Sequence, residues 1–323
     1  MKKIITILVA ILFSMSFMMT TACSEKTDYT VGIVQLVEHS ALDAANKGFR
    51  EELTKLMEEE GKTIKFHNKT ASGDQATCTT IANVLVSKKV DLLLAIATPA
   101  AQAIAAVTET IPVLFTAVTD AEDVGLVKSN ENPTYNLSGT SDLNPVDQQI
   151  ELIKELVPEA KKIAVIYNTA ERNSEIQVEL AKTACTRLGL ELEEEGLVDI
   201  SDIQTTFSLL DSDIDAIYIP TDNLMAKAAI TVHNINKDDK KIPIVCGEIG
   251  MNDLCGVATY GIDYYILGQQ TARMAFDVLV NGKDISTMPV EYQEKIVFSV
   301  NTLIASEIGF TIPQEILDRA KEE

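Results

Sequence analysis

Short runs of aliphatic and β-branched residues alternate along this chain with longer stretches whose apolar positions recur every three or four residues. The first run lies at 31–36 (VGIVQL), and the stretch 42–60 behind it carries Phe49, Leu53 and Leu56 at helical spacing. Residues three and four apart share one helix face, whereas an unbroken apolar run of five or six suits a strand covered on both faces. The same reading predicts a strand at 63–68, a helix at 74–87, a strand at 92–96, a helix at 99–108 and a strand at 113–117.

After "TSDLNPVDQQ" the series restarts. Helices are predicted at 145–156, 174–188, 203–210 and 223–234, and strands at 162–167, 191–197, 216–219 and 242–246. A strand at 257–261, a helix at 264–280 and a last strand within 292–300 follow. The halves also match locally: "LLLAIATPAAQAIAAV" and "AIYIPTDNLMAKAAI" each read as strand, Pro/Thr corner and Ala-rich helix. Repeated β/α units predict an α/β protein of two Rossmann-like lobes with parallel sheets. In such sheets ligands sit beyond the carboxyl ends of the strands, here in a cleft between lobes. The expected division is 31–141 with 263–290 for lobe 1, and 142–262 with 291–323 for lobe 2. Chain crossing between them several times makes a hinge, near 141–142 and 262–263.

The N-terminus departs from this pattern. Lys2 and Lys3 precede an apolar run at 4–19, then Thr20, Thr21, Ala22 and a single Cys23. The run falls short of the ~20 residues that span a bilayer and has the build of a secretory signal. Cys23 is what a lipoprotein signal requires, because its thiol accepts the lipid before cleavage; Thr20 stands where Leu is usual. The expectation is a signal peptide at 1–22, a polar tether at 23–30, and a lipid anchor at Cys23 on the outer face of the cell membrane.

Composition narrows the partners. The 323 residues include 48 acidic and 27 basic side chains, a formal charge of −21, which loss of Lys2 and Lys3 deepens by two. Such a surface repels phosphate backbones and argues against nucleic acid. Cys78, Cys185, Cys246 and Cys255 form no C-x-x-C pair, so no zinc or dithiol motif is supported. Free thiols and a Cys246–Cys255 disulfide both remain open.

Motifs for catalysis fail. "GKT" at 61–63 has Leu56 where a phosphate loop needs its first glycine, so Gly61 reads as a helix end. His39, His67 and His233 are too scattered for a metal motif, and no G-x-S-x-G elbow occurs. Neither cofactor nor metal is expected. The signal lies instead at the strand-to-helix corners. Thr98 and Pro99 open a helix whose free amides suit an anion, and Thr221, Asp222 and Asn223 occupy the matching corner of the other half. Thr116, Asp120 and Glu248 lie at neighbouring corners, Glu38 and His39 end the first strand, and Asn168, Asn173 and Ser174 follow the first strand of the second half. Several of these residues would also serve as plain helix caps.

"GIVQLVEHSALDAANKGF", "IPVLFTAVTDAEDVGLV", "AVIYNTAERNS", "DAIYIPTDN" and "VATYGIDYYILGQQTARMA", with the Ala-rich corner above, closely resemble one family. It is the substrate-binding lipoproteins of ABC transporters whose characterised members bind tryptophan, phenylalanine or tyrosine. The resemblance covers nearly all of the chain after the signal. It implies a type I periplasmic-binding-protein fold, three crossovers between lobes and a ligand held between them. Where the family commonly carries an aspartate-bearing segment, this chain has "CGEIG", which puts Glu248 in that place. An amino-acid zwitterion suits the corners: Thr98 and Thr116 for the carboxylate, Asp222, Glu248 or Glu38 for the ammonium, and Phe115, Tyr167, Tyr218 or Tyr260 as aromatic walls.

The leading expectation is thus a non-enzymatic, monomeric receptor that hands an amino acid to the permease of an ABC importer. A receptor feeding a membrane sensor is the alternative. An enzyme on the same fold would need a nucleophile–base pair, metal cluster or phosphate loop that the sequence lacks.

Overall fold

The structure, a computed structural model, describes residues 27–322. The proposed signal peptide and residues 23–26 of the tether, Cys23 included, lie outside the described residues.

Two six-stranded sheets are built to one plan. The first contains β1 (Tyr29–Gln35), β2 (Ile64–Thr70), β3 (Leu92–Ile96), β4 (Val113–Val118), β5 (Leu137–Ser141) and the late strand β11 (Glu291–Tyr292), in the order β11-β5-β4-β3-β1-β2. The second contains β6 (Lys162–Asn168), β7 (Glu191–Leu197), β8 (Ala216–Ile219), β9 (Ile244–Cys246), β10 (Ala258–Gly261) and β12 (Val297–Val300), in the order β12-β10-β9-β8-β6-β7. Pairing is parallel except between β10 and β12. The central strands β3 and β4 are buried at every position, as apolar runs covered on both faces should be.

Helices cover both sheets. In the first lobe these are α1 (Ser40–Glu59), α2 (Gln75–Ser87) and α3 (Thr98–Ala105), and in the second α4 (Val146–Leu156), α5 (Arg172–Leu188), α6 (Ile203–Leu209), α7 (Asn223–Asp238) and α8 (Ile249–Cys255). The long α9 (Tyr264–Leu279) returns to the first lobe, and α10 (Thr302–Glu307) and α11 (Gln314–Glu322) end the second. Helix α1 buries Ala41, Leu42, Ala45, Phe49, Leu53 and Met57; Phe49 and Leu53 are as predicted, while Leu56 is only half-buried and Met57 ends the stripe. It lies unusually close to α9: a Cβ on Gly48 would collide with the Tyr265 carbonyl oxygen, and one on Gly268 with that of Ala45. Only glycine permits that approach. Gly61 follows α1 with φ 63°, the left-handed turn expected of a residue that ends a helix.

The chain passes between lobes after β5, after β10 and between β11 and β12. The single strand predicted at 292–300 is therefore two short pieces on different sheets, separated by the third crossover. Strand β5 and helices α8, α10 and α11 were absent from the sequence reading. Side-chain bonds knit the crossovers together. Asn144 donates to the Asp142 carbonyl and to Thr221 Oγ1 (3.0 and 3.2 Å), and its Oδ1 accepts from the Ile262 amide at 3.0 Å. Gln293 bonds Asp263 twice, accepting from its amide at 2.8 Å and donating to its carbonyl at 3.1 Å.

Candidate functional site

The carboxyl ends of the two sheets face each other, and a narrow, nearly closed cavity lies between them beside the crossovers. The first lobe contributes His39, Leu42, Ala117, Thr119 and Tyr264 to its wall, with Asp142 from the first crossover. The second contributes Asn173, Thr221, Asp222, Asn223, Ala226 and Glu248. A wider interlobe groove of about 450 Å³ lies alongside and shares Asn223. The walls of that groove are mixed: Leu36, Val37, Pro99, Val198, Ile200 and Leu224 are apolar, and Ser72, Gln75, Asn168, Glu171, Asp199 and Lys227 are polar or charged.

Backbone strain marks the first-lobe edge. Ala97 and Ala117, at the ends of adjacent strands, hold φ of 84° and 57°, where a side chain is disfavoured by about 1–3 kcal/mol. Ala97 places Thr98 as the first residue of α3, but Thr98 is buried and lies on neither wall; Pro99 reaches the groove. Thr116 is fully buried and accepts from Thr140 Oγ1 at 3.0 Å inside the lobe, so Thr119 takes its place on the wall. Asp120 braces its own loop, accepting from the amides of Glu122 and Asp123 and from Asn130. Glu38 is exposed and lies on neither wall, whereas its neighbour His39 lines the cavity.

His39 Nε2 stands 3.4 Å from Asn223 Oδ1, and its Nδ1 is buried without a partner. Burial pulls the imidazole down to about 4, so the ring is neutral near pH 7. Asn173 is 3% exposed, and its Oδ1 is likewise buried without a partner on the cavity wall. Neither Asn173 nor Ser174 caps α5, because that helix starts at Arg172 with Glu171 before it.

Four carboxyl groups gather here with no buried Lys or Arg among their partners. Asp222 is the N-cap of α7: Oδ1 accepts from the Met225 amide at 2.9 Å, and Oδ2 from the Asn168 amide and Ser174 Oγ, both at 2.7 Å. Glu248 caps α8 by accepting from the amides of Gly250 and Met251, both at 2.6 Å. Asp142 accepts from Tyr264 OH at 2.8 Å and Thr119 Oγ1 at 3.3 Å. Glu171 accepts from Asn168 Nδ2 at 3.0 Å and Asn223 Nδ2 at 2.5 Å. Loss of water raises the pKa of each: Asp142 to about 6, Glu248 and Glu171 to about 7, with nearby Asp222 adding to the rise at Glu171. Asp222 is also raised by burial, against the pull of its three donors.

The sequence reading brought His39, Asn173, Thr221, Asp222, Asn223 and Glu248 to one cavity and missed Asp142, Tyr264 and Glu171. Its aromatic walls are corrected. Phe115 and Tyr218 are fully buried core residues, Tyr218 donating to Gln149 Oε1 at 2.8 Å. Tyr167 packs on the second-lobe core, and Tyr260 stacks against Phe298 with its hydroxyl bonded by Arg319. Cys246 and Cys255 are buried free thiols with sulfurs 3.7 Å apart. Among the described residues no group of three His, Cys, Asp or Glu is placed to hold a metal ion.

A model of the family described as "ABC transporter substrate binding protein" matches residues 30–323. This chain belongs to that family. It is 39% identical to a tyrosine-binding protein of Clostridioides difficile, over 95% of this chain and 93% of the relative. A Streptococcus pneumoniae ABC domain in complex with L-Trp is 36% identical and superposes with a TM-score of 0.83, over 90% of this chain and 98% of that one. A ligand-free, open substrate binding protein with adhesive properties from Clostridium difficile is 39% identical, yet its TM-score is 0.67, over 88% and 96%. The lobes here are thus arranged more as in the L-Trp complex than as in the open relative, and the fold is the type I periplasmic-binding-protein fold.

Proposed function

We propose that this substrate-binding protein is an exported receptor, anchored by lipid at Cys23, that binds an aromatic amino acid between its lobes and delivers it to an ABC importer. The observation that carries the ligand class is the pairing of two interlobe spaces through Asn223. One is small, polar and lined by buried acceptors; the other, about 450 Å³, has the size of ordinary small-molecule sites and offers Leu36, Val37, Pro99, Val198, Ile200 and Leu224 as apolar surface among polar residues. The first, about 10 Å³ as it stands, suits a group the size of an ammonium, and the second the rest of the amino acid with its ring. Asn223, where the two spaces meet, keeps one side-chain N–H for the carboxylate, while Asn173, Glu248 and Asp142 supply acceptors for the ammonium. The relatives that bind tyrosine and L-Trp support the same class. Thr221 positions the corner, donating to the Gly247 carbonyl at 3.1 Å while accepting from Asn144. Ser174 and Asp222 buttress it from within the second lobe.

The lobes close about the three crossovers, with the hinge near 141–142 and 262–263. Native mass spectrometry of the protein purified without added ligand tests the reading. An added mass equal to tyrosine, tryptophan or phenylalanine supports it, and a bound sugar or nucleoside contradicts it.

A further inference from the structure

Cys246 and Cys255 are brought together by the stretch of chain that forms one wall of the polar cavity. Cys246 ends β9, Cys255 ends α8, and between them lie Glu248 and the rest of that helix. The two sulfurs are 3.7 Å apart, and the residues are 0% and 1% exposed. The backbone around them is pinned. Val257 donates to the Ile244 carbonyl at 2.8 Å, Ala258 pairs with Val245, and the Cys246 carbonyl accepts from Thr259 Oγ1. Gly256 is drawn so tightly over the pair that a Cβ there would stand 2.7 Å from the Cys246 sulfur. Cys78 and Cys185 are buried too, but each belongs to a different hydrophobic cluster.

We infer that Cys246 and Cys255 are a site of reversible disulfide formation, oxidised outside the cytoplasm by a disulfide-bearing oxidant, and that the bond staples the end of α8 to β9. The sulfurs must close from 3.7 Å to about 2.0 Å, a shift small enough to be shared by two side chains. One thiolate attacks the oxidant's disulfide, giving a mixed disulfide and releasing one thiol; the second thiolate attacks that mixed disulfide and releases the other. Overall, two cysteine thiols give up two electrons and two protons, and the oxidant's disulfide takes them up as two thiols. Burial pushes the Cys246 thiol well above its ordinary range, with Cys255 and Glu248 adding to the rise. The folded pair is therefore a poor nucleophile, and the bond forms while the chain folds. An exported chain folds where such oxidants persist, whereas the cytoplasm keeps thiols reduced. Only that location rests on the exported reading above; the pairing rests on the geometry. The closed ring contains Glu248, so the staple holds one wall of the cavity.

The mature chain is reduced, unfolded in urea and refolded by dilution into mixed reduced and oxidised glutathione, then trapped with acid, unfolded and alkylated. Peptide mapping should find Cys246 linked to Cys255, with alkyl groups on Cys78 and Cys185. Reduction with dithiothreitol should lower the thermal midpoint of this form and leave that of Cys246→Ala or Cys255→Ala unmoved. Should refolding be incomplete, the same mapping is applied to protein exported to an oxidising bacterial periplasm and trapped with acid. Free thiols or separate glutathione adducts at Cys246 and Cys255, a link to Cys78 or Cys185, or a wild-type midpoint that reduction leaves unmoved overturns the inference. The receptor reading then still stands. Export is read separately, from the mass of the chain in membrane fractions, so the two can fail independently.

Discussion

Arg172, the first residue of α5 in the second lobe, grips Asp123 of the first lobe with one edge of its guanidinium, Nε to Oδ2 at 2.9 Å and Nη2 to Oδ1 at 3.2 Å. Lys227 adds a second bridge to the Ser72 carbonyl at 3.4 Å. Both contacts join the lobes across the cleft.

Asp123→Ala should therefore favour the open form. Each side chain is 37% exposed, and solvent-exposed pairs are worth about 0.2–1 kcal/mol, so affinity should fall only about two- to fivefold. The loss should appear as faster ligand dissociation in stopped-flow measurements and should shrink at high salt. Unchanged dissociation would show that the bridge does not hold the closed form.

Asp222→Asn should act on stability more than on affinity. The amide that replaces one carboxylate oxygen would point N–H groups at donors: the Asn168 and Met225 amides or the Ser174 hydroxyl. Hydrogen bonds to a charged group are worth about 1.5–3 kcal/mol, and urea denaturation should show a loss of that order. Wild-type stability together with a large loss of affinity would instead make Asp222 a direct partner of the ligand.

The ligand-free protein should be more compact at pH 6 than at pH 8. Burial in this arrangement raises Asp142 to about 6 and Glu248 and Glu171 to about 7, and opening should return those that face the cleft toward ordinary carboxylate values as water re-enters. A raised carboxyl disfavours the closed state once ionised, so that penalty grows as pH rises through these values and is relieved as it falls. His39, lowered to about 4 by burial, works the other way and favours opening below about 6.5. Between pH 8 and 6 the carboxyls dominate. Small-angle scattering without ligand should show a smaller radius of gyration at pH 6; equal radii would contradict the linkage.

The fold was legible because burial on both faces writes strands such as β3 and β4 as unbroken apolar runs. Strand β5 was not, because "LSGTS" buries small polar residues that bond inward, Ser138 to the Met288 carbonyl at 2.7 Å and Thr140 to Thr116 and Thr271. Its Gly139 lies so close to Phe115 that a Cβ would strike the Phe115 backbone. Corner residues following strands were found for the same reason that strands were. Asp142 escaped because it sits on a crossover, where no periodicity marks it and the polar run "TSDLNP" was the available signal; Tyr264 escaped because it read as the first residue of a packed helix. Glu171 drew no reading from the sequence, and the fold shows it enclosed by Asn168 and Asn223.

The most direct test of the central claim is a calorimetric titration of the mature, ligand-stripped protein with L-tyrosine, L-tryptophan and L-phenylalanine. The account predicts saturable binding of one molecule per chain for at least one of them, with a negative heat-capacity change from burial of the ring in the wider groove. No binding of any of the three to the folded, ligand-stripped protein would contradict it.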